Sequence, residues 1–167
     1  MARAYLGFGG NLGDRLATLR DAVNALGSLG NIVAVSSIYE TAPVGYLDQP
    51  SFLNAAAVLE TSLMAEDLLS ALLEIERSLG RERTFRNAPR TLDIDLLMYD
   101  DTISDDSGLT LPHPRLHERA FVLVPLAEIA PDIRHPRLDQ TIADLLAGLG
   151  DVSGEVNKVA EPETLVS

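Results

Sequence analysis

Apolar and polar residues alternate along the first hundred positions with two different periods. Four short runs rich in Val, Ile, Leu, Ala and aromatic residues predict β-strands, at 4–8, 32–39, 52–60 and 91–99. Two other segments carry apolar residues three and four positions apart and predict helices, at 14–28 and 65–79. The order strand, helix, strand, strand, helix, strand predicts an α+β fold of the ferredoxin-like βαββαβ plan, in which two helices pack on one face of an antiparallel sheet.

The pattern after this point is weaker and predicts a C-terminal extension of the same domain. An acidic turn at 100–108 precedes a short extended piece at 109–114, a helix or strand at 120–129 and a last helix at 141–149. The length of 167 residues predicts a single domain, which we place at 1–153. The remaining residues, 154–167, are mostly polar, so we expect this tail to be frayed.

Two segments without periodicity interrupt the pattern, at 40–51 and 81–90. Loops of this length in a compact domain are usually functional or disordered. The second one overlaps an arginine cluster formed by Arg77, Arg81, Arg83, Arg86 and Arg90. The formal net charge of −12 argues against a nucleic-acid-binding surface, because neutralising phosphates requires Lys and Arg. An acidic chain with one arginine patch instead predicts binding of a small polyanion, since guanidinium groups grip phosphate through paired hydrogen bonds.

The rest of the sequence indicates the cellular compartment and excludes some kinds of metal site. The chain has no cysteine, which excludes disulfides and thiolate metal ligands. No apolar run is long enough for a transmembrane helix and the N-terminus lacks a signal peptide, so we expect a cytoplasmic protein without a membrane partner. The three histidines lack the spacing of a zinc site. His113 stands between two prolines, which favours a binding contact over a core position.

The pair Asp93 and Asp95, in the fourth predicted strand, is the densest chemical signal. Side chains two positions apart on a strand share a face, with Cα atoms roughly 6 to 7 Å apart. Two carboxylates so close repel each other unless a cation neutralises them, and Mg²⁺ takes oxygen ligands that it commonly shares with substrate phosphates. A solvated strand face is the alternative interpretation. The adjacent arginines favour a metal site for phosphoryl transfer, in which positioning and charge stabilisation are most of the catalysis.

The glycine-rich segment after the first strand suggests two nucleotide motifs that the sequence does not complete. Gly7 and Gly9 would begin a G-x-G-x-x-G dinucleotide fingerprint, but Leu12 stands where its third glycine belongs. A phosphate-binding P-loop is excluded because there is no G-x-x-x-x-G-K-[ST]. The segment is therefore predicted to be a tight turn that requires a positive φ angle.

Seven blocks of the sequence carry a more specific signal, and the strongest is Pro-Arg-Thr-Leu-Asp-Ile-Asp-Leu-Leu at 89–97. The others follow one another along the chain at 9–14, 36–43, 48–55, 75–81, 111–114 and 119–123. Together they resemble the 6-hydroxymethyl-7,8-dihydropterin pyrophosphokinase family of the folate pathway, from residue 5 to about 131. The resemblance implies an enzyme that transfers pyrophosphate from MgATP to the 6-hydroxymethyl group of the dihydropterin and releases AMP. It implies these two small molecules as partners, and we expect a monomer.

The resemblance also implies roles for individual residues. Asp93 and Asp95 would hold two Mg²⁺ ions that bridge the ATP phosphates, and Arg81 and Arg90 would complete the catalytic set. ATP would contact the side chains of Arg81, Arg83, Arg90, Thr110, His113 and Arg119. The pterin would lie among Thr41, Pro43, Val44, Phe52, Asn54 and Phe121. The two phenylalanines of this group would sandwich its ring, while the Asn54 amide offers donors and an acceptor to the ring edge.

Four positions depart from the family pattern. Gly10 replaces a Ser of the turn, and Asn87 replaces a Trp that some members carry in the second loop. Leu73 and Gly108 replace a Gln and an Arg near the nucleotide, which bears on ATP affinity and not on the reaction class. Two other interpretations remain open at this point, a non-catalytic ferredoxin-like ligand-binding domain and a different ATP-dependent transferase on the same scaffold.

Overall fold

The computed structural model describes residues 1–11, 13–42, 50–79 and 92–166. Its main sheet contains six strands, which are β1 (Ala2–Gly10), β2 (Asn31–Val35), β3 (Ile38–Thr41), β4 (Phe52–Thr61), β5 (Asp93–Tyr99) and β10 (Val156–Ala160). Two small hairpins contain β6 (Ser104–Asp106), β7 (Leu109–Leu111), β8 (Arg134–His135) and β9 (Gln140–Thr141). The helices are α1 (Arg15–Leu26), α2 (Ala65–Ser78), α3 (Ala120–Ile129) and α4 (Ile142–Ala147).

The main sheet is antiparallel, and its strands lie in the order β10, β3, β4, β1, β5, with β2 also paired to β4. The prediction of an α+β fold with an antiparallel sheet is therefore confirmed. The two helices and three of the four strands of the predicted βαββαβ core lie within a few residues of their predicted bounds. Asp14 caps α1 through a 3.1 Å hydrogen bond that its Oδ1 accepts from the Ala17 backbone N–H.

Alternating residues of the central strands separate two cores on opposite faces of the sheet. Ala4, Leu6 and Phe8 of β1 lie on the face covered by α1 and α2. Tyr5 of β1 and Val58 of β4 lie on the other face, which α3 and α4 cover. The sequence predicted helices on one face only. The highly apolar α3 and the amphipathic α4 explain the second layer, because both bury side chains against the sheet or against each other.

The predicted second strand is wrong as a continuous element, because it breaks into β2 and β3 at two buried serines. Ser36 Oγ accepts a 2.8 Å hydrogen bond from the Ala56 N–H and donates one of 2.7 Å to the Ser37 carbonyl. Serine hydroxyls compete in this way with the backbone ladder of a strand. The glycine-rich turn is also shorter than predicted, since Gly9 and Gly10 still belong to β1. Among the glycines of this segment, only Gly13 has a positive φ, of 66°.

The C-terminal segment corrects the expectation of a frayed tail. Residues 156–160 form β10 on the edge of the main sheet, paired with β3. Leu165 is completely buried in the first core, and the Thr164 carbonyl accepts a 3.1 Å hydrogen bond from Arg20 Nε on α1. A few apolar side chains thus anchor a segment whose composition is mostly polar. The helices of the described ranges are all too short or too polar to cross a membrane.

Candidate active site

A cleft of about 1030 Å³ lies on the second face of the sheet, at the end that α3 leaves uncovered. Its floor comes from β1, β4 and β5, one wall from the start of α3, and the other from the ends of β3 and β10. It brings together seven of the residues that the sequence identified as candidates, namely Thr41, Phe52, Asn54, Asp93, Asp95, Arg119 and Phe121. The geometry thus unites residues that lie up to 80 positions apart in the chain.

Two glycines of β1 form the floor of the cleft directly beside the two carboxylates. Gly9 pairs with Asp93 of β5 on one side, and Gly7 pairs with Asp95. Both carboxylates line the cleft and are half-buried, while Ile94 between them is buried on the opposite face, as predicted. Directly paired residues of an antiparallel sheet point to the same face, so a side chain at either glycine would project from the floor beside an aspartate. At Gly9 that position is already filled by the Asn54 amide and the Leu53 carbonyl, which lie within 2.5 Å of where a Cβ would stand.

A buried carboxylate on α2 fixes the strand that carries the aspartates. Glu76 is 5% exposed, and its Oε2 accepts a 2.6 Å hydrogen bond from the backbone N–H of Ile94. The bond falls on the one residue between Asp93 and Asp95, so it holds β5 in place from behind the cleft. The local pattern does not indicate this role, because Glu76 occupies an ordinary position of an amphipathic helix.

A second group of residues lies across β1 from the aspartates. Asn54 of β4 pairs with Gly9, and its amide donates a 2.8 Å hydrogen bond from Nδ2 to Thr41 Oγ1 at the end of β3. Phe52 begins β4 and pairs with Thr41. Thr41 and Phe52 are 7% and 8% exposed, yet both line the cleft, so they present fixed surfaces to it. An amide, a hydroxyl and an aromatic ring here suit a flat heterocycle with polar edges.

The start of α3 supplies the opposite wall. The guanidinium Cζ of Arg119 lies 5.5 Å from the centre of the Phe121 ring, within the range of a cation–π contact. Both residues line the cleft, together with Arg115 and Glu118 of the preceding turn, which the sequence had not identified. An arginine stacked on an aromatic ring is positioned for a phosphate or a second ring.

Two other candidates lie outside the lining of the cleft. Thr110 lies in β7, where its Oγ1 hydrogen-bonds the Asp106 carbonyl at 3.3 Å. His113 lies behind the aspartate end, with its backbone N–H donating to the Leu97 carbonyl at 2.8 Å. Burial lowers the pKa of the His113 imidazole, and the charge of Asp95 opposes that shift. His113 is therefore close enough to the cleft to sense its charge.

The remaining candidates, Arg81, Arg83, Arg90, Pro43 and Val44, lie outside the described residues. A further part of the wall was missed by the sequence interpretation, because residues 154–157 also line the cleft. Val156 is 7% exposed and pairs with Thr41 across the β10–β3 ladder. No local pattern could reveal this, since the pairing joins residues more than a hundred positions apart.

Asp93 and Asp95 are the carboxylates of the cleft floor that could hold a metal ion. Nowhere in the described ranges do three or more His, Asp or Glu side chains cluster tightly enough to form a cage. This donor set fits Mg²⁺, which usually binds one or two carboxylates and takes its other ligands from phosphates and water. Both carboxylates line the cleft, so the remaining ligands would come from its open side.

Comparisons with known proteins agree with the resemblance seen in the sequence. A family model described as 7,8-dihydro-6-hydroxymethylpterin-pyrophosphokinase (HPPK) matches residues 5–131. A 2-amino-4-hydroxy-6-hydroxymethyldihydropteridine pyrophosphokinase of Methylorubrum extorquens is 51% identical over 135 residues, which are 80% of this chain and 85% of that protein. The protein of the same name from Bacillus subtilis is 47% identical over 132 residues, 78% of this chain and 79% of its own length.

Solved structures show the same fold at low sequence identity. The wild-type HPPK-DHPS of Plasmodium falciparum with pteroate superposes with a TM-score of 0.71 at 18% identity. The superposition covers 88% of this chain but only 42% of that one, so the chain spans less than half of the longer protein. With the family model matching most of its length, the chain belongs to the 7,8-dihydro-6-hydroxymethylpterin-pyrophosphokinase family.

Proposed function

We propose that the cleft is the active site in which this chain performs the reaction of its family. As a member of that family, the chain is a pyrophosphokinase of folate biosynthesis. It transfers pyrophosphate from ATP to the 6-hydroxymethyl group of 6-hydroxymethyl-7,8-dihydropterin, and AMP is released. The observation that carries the assignment of the site is the pair of carboxylates facing a glycine floor, with an amide and a hydroxyl on the far side.

We assign the aspartate end of the cleft to the phosphates. Asp93 and Asp95 would hold two Mg²⁺ ions, which neutralise the charge of the triphosphate when bound. Arg119 lines the same cleft and would contact ATP. His113 and Thr110, which lie outside the lining, would contact ATP by resemblance. Arg81, Arg83 and Arg90 would add positive charge where the transition state is most negative.

We assign the opposite end to the pterin. Asn54 and Thr41 are held in one orientation by their 2.8 Å hydrogen bond and offer polar groups to the edge of the ring. Phe52 and Phe121 line the cleft from its two sides, as a sandwich of the ring requires. Pro43 and Val44 complete this set by resemblance.

The positions of the pterin end and the aspartate end determine how the two substrates would face each other. A pterin bound between Phe52 and Phe121 would direct its hydroxymethyl oxygen toward the triphosphate at Asp93 and Asp95. That oxygen forms a bond to the β-phosphorus of ATP, the bond from this phosphorus to the α,β-bridging oxygen breaks, and AMP departs. The hydroxyl proton is released to water, so the products are the pyrophosphorylated pterin, AMP and one proton. Holding both reactants in line removes much of the entropic barrier.

The strand topology, the cellular compartment and the oligomeric state are part of the same proposal. If β2 and β3 count as the two halves of one strand, the succession β1–α1–β2/β3–β4–α2–β5 follows the ferredoxin-like plan, with α3, α4 and β10 as additions. We also propose that the enzyme works as a cytoplasmic monomer.

An assay of AMP formed from ATP and hydroxymethyl-dihydropterin, with and without Mg²⁺, tests the function. We expect Asp93→Ala and Asp95→Ala to lower kcat by about a thousandfold or more, the scale of losing a charge-stabilising group in phosphoryl transfer. Asp101→Ala is the matched control, since Asp101 is an exposed carboxylate in the turn that follows β5. Near-normal AMP release by either cleft variant would contradict the metal assignment. Binding of both substrates without AMP release by the wild type would contradict the catalytic proposal.

A further inference from the structure

Arg15, at the first position of α1, links the two ends of the segment that joins β3 to β4. Its Nη1 donates a 3.1 Å hydrogen bond to Glu40 Oε2 and one of 2.8 Å to the Ser51 carbonyl. Glu40 lies in β3 just before this segment, and Ser51 stands just before β4. One guanidinium nitrogen therefore holds both ends of the segment together.

A second side chain from the same region strengthens this link. Asn11 follows β1 and is 1% exposed, and its Nδ2 donates a 3.0 Å hydrogen bond to the Pro50 carbonyl. The two contacts join the start of α1 and the end of β1 to consecutive carbonyls, of Pro50 and Ser51. The start of β4 is thus fixed from behind by two independent side chains.

The residues held in this way are direct neighbours of the proposed pterin contacts. Glu40 precedes Thr41, and Ser51 precedes Phe52. Arg15 itself is not among the residues that line the cleft. We infer that Arg15 is a positioning residue for the pterin end of the cleft, which steadies the strand ends that carry the paired residues Thr41 and Phe52 and leaves the aspartate end unaffected.

Because the contact between Arg15 and Glu40 is partly exposed, we expect its loss to weaken pterin binding more than the stability of the fold. The side chains of Arg15 and Glu40 are 31% and 42% exposed. Ion pairs this exposed contribute little to the stability of a fold because water screens them. Binding of a flat ligand between fixed surfaces is more sensitive, since loss of a supporting hydrogen bond lets a binding residue move from its productive position.

The inference rests on the proposed function, and steady-state kinetics with separate variation of the two substrates tests it. We expect Arg15→Gln to raise KM for hydroxymethyl-dihydropterin about tenfold, which corresponds to ~1.4 kcal/mol. KM for MgATP should stay within about twofold, since among the described residues the side-chain hydrogen bonds of Arg15 go to Glu40 and Ser51 and not to the aspartate end. Arg15→Lys should recover part of the loss, because it keeps the charge and one donor.

Arg20→Gln is the matched control. Arg20 lies on the same helix and also bonds a backbone carbonyl, that of Thr164, at 3.1 Å and away from the cleft. We expect this variant to keep both KM values. Thermal unfolding of all variants separates a binding effect from a loss of folding.

Three results would overturn the inference. Unchanged KM for the dihydropterin in Arg15→Gln would show that Arg15 positions nothing. An equal rise of both KM values, or a rise that Arg20→Gln reproduces, would show a general structural role. Calorimetric titration of the dihydropterin, with Mg²⁺ and a non-hydrolysable ATP analogue, gives the same comparison without turnover. If the wild type binds the pterin but forms no AMP, the catalytic proposal fails while Arg15 is still tested; if it does not bind, both fail.

Discussion

A single methyl group added to the floor of the cleft provides a sharp test of its geometry. In Gly9→Ala, the new Cβ would lie 2.4 Å from Asn54 Oδ1 and 2.5 Å from the Leu53 carbonyl oxygen. Both distances are far inside van der Waals contact. Asn54 can rotate away from this clash only by giving up its hydrogen bond to Thr41, and the Leu53 carbonyl belongs to the backbone of β4 and cannot move without shifting the strand.

The size of the effect follows from these two contacts. Overfilling a well-packed site costs about 1–3 kcal/mol, so we expect Gly9→Ala to lower the free energy of unfolding by ~2 kcal/mol. For a chain of this length that loss corresponds to a Tm lower by roughly 4–8 °C. The displaced Asn54 amide should also raise KM for the dihydropterin by about 10- to 100-fold, as expected for one or two lost hydrogen bonds.

Gly7→Ala is the matched control, two residues away on the same strand and the same face. Its new Cβ would lie 3.4 Å from Leu97 Cδ1 as the nearest atom, which a flexible side chain can accommodate. We expect the free energy of unfolding of this variant to stay within about 0.5 kcal/mol of the wild type. Thermal unfolding and substrate kinetics on the two variants give the comparison.

The reasoning would be refuted by either of two outcomes. The first is a Gly9→Ala variant with the Tm and the KM for the dihydropterin of the wild type, which would mean that β1 and β4 are not packed as closely as these distances indicate. If Gly7→Ala loses as much stability as Gly9→Ala, the damage comes from replacing any strand glycine and not from the specific contact with Asn54 and Leu53.

Two further predictions concern hydrogen bonds accepted by the carboxylates of Glu76 and Glu128. Glu76→Ala should lower the free energy of unfolding by ~2 kcal/mol in urea denaturation, because the Ile94 N–H loses its buried acceptor, whereas Glu74→Ala on the exposed side of α2 should change it little. Burial, and the hydrogen bond donated to Glu128 Oε1 at 2.6 Å, raise the pKa of Tyr39 above its ordinary value. A raised folded-state pKa means that stability is complete below the unfolded value of about 10 and is lost as pH rises above it. Tyr39→Phe should therefore reduce the alkaline slope of stability by up to ~1.4 kcal/mol per pH unit; an unchanged slope in denaturation at pH 10 to 11.5 would contradict this.

Much of the central sheet could be predicted from the sequence because its signals are local. The helical period of α1 and α2, the Asp14 cap and the alternation around Asp93 and Asp95 each depend on neighbours within a few residues. The resemblance to the family likewise depended on short blocks of sequence, and the comparisons confirmed it.

The predictions that were wrong concern residues whose conformation depends on distant partners. The break at Ser36 and Ser37 is stabilised by Glu128 of α3, whose carboxylate accepts hydrogen bonds from the Ser37 N–H and hydroxyl. The tail became β10 because β3 offered an unpaired edge and the first core offered a place for Leu165. Polar composition predicted fraying, but burial of a few apolar side chains and a strand ladder outweighed it.

The sequence by itself determined the α+β class, the pair of aspartates on one strand face and the family of the chain. Only the tertiary structure decided what surrounds that pair: a glycine floor from β1, Glu76 behind Ile94, Asn54 bonded to Thr41, and β10 as part of the wall. The physical reason is the distance along the chain over which each interaction acts. Periodicity and capping act between neighbours in the chain, whereas the register of an antiparallel sheet and the packing of helices join residues tens to more than a hundred positions apart.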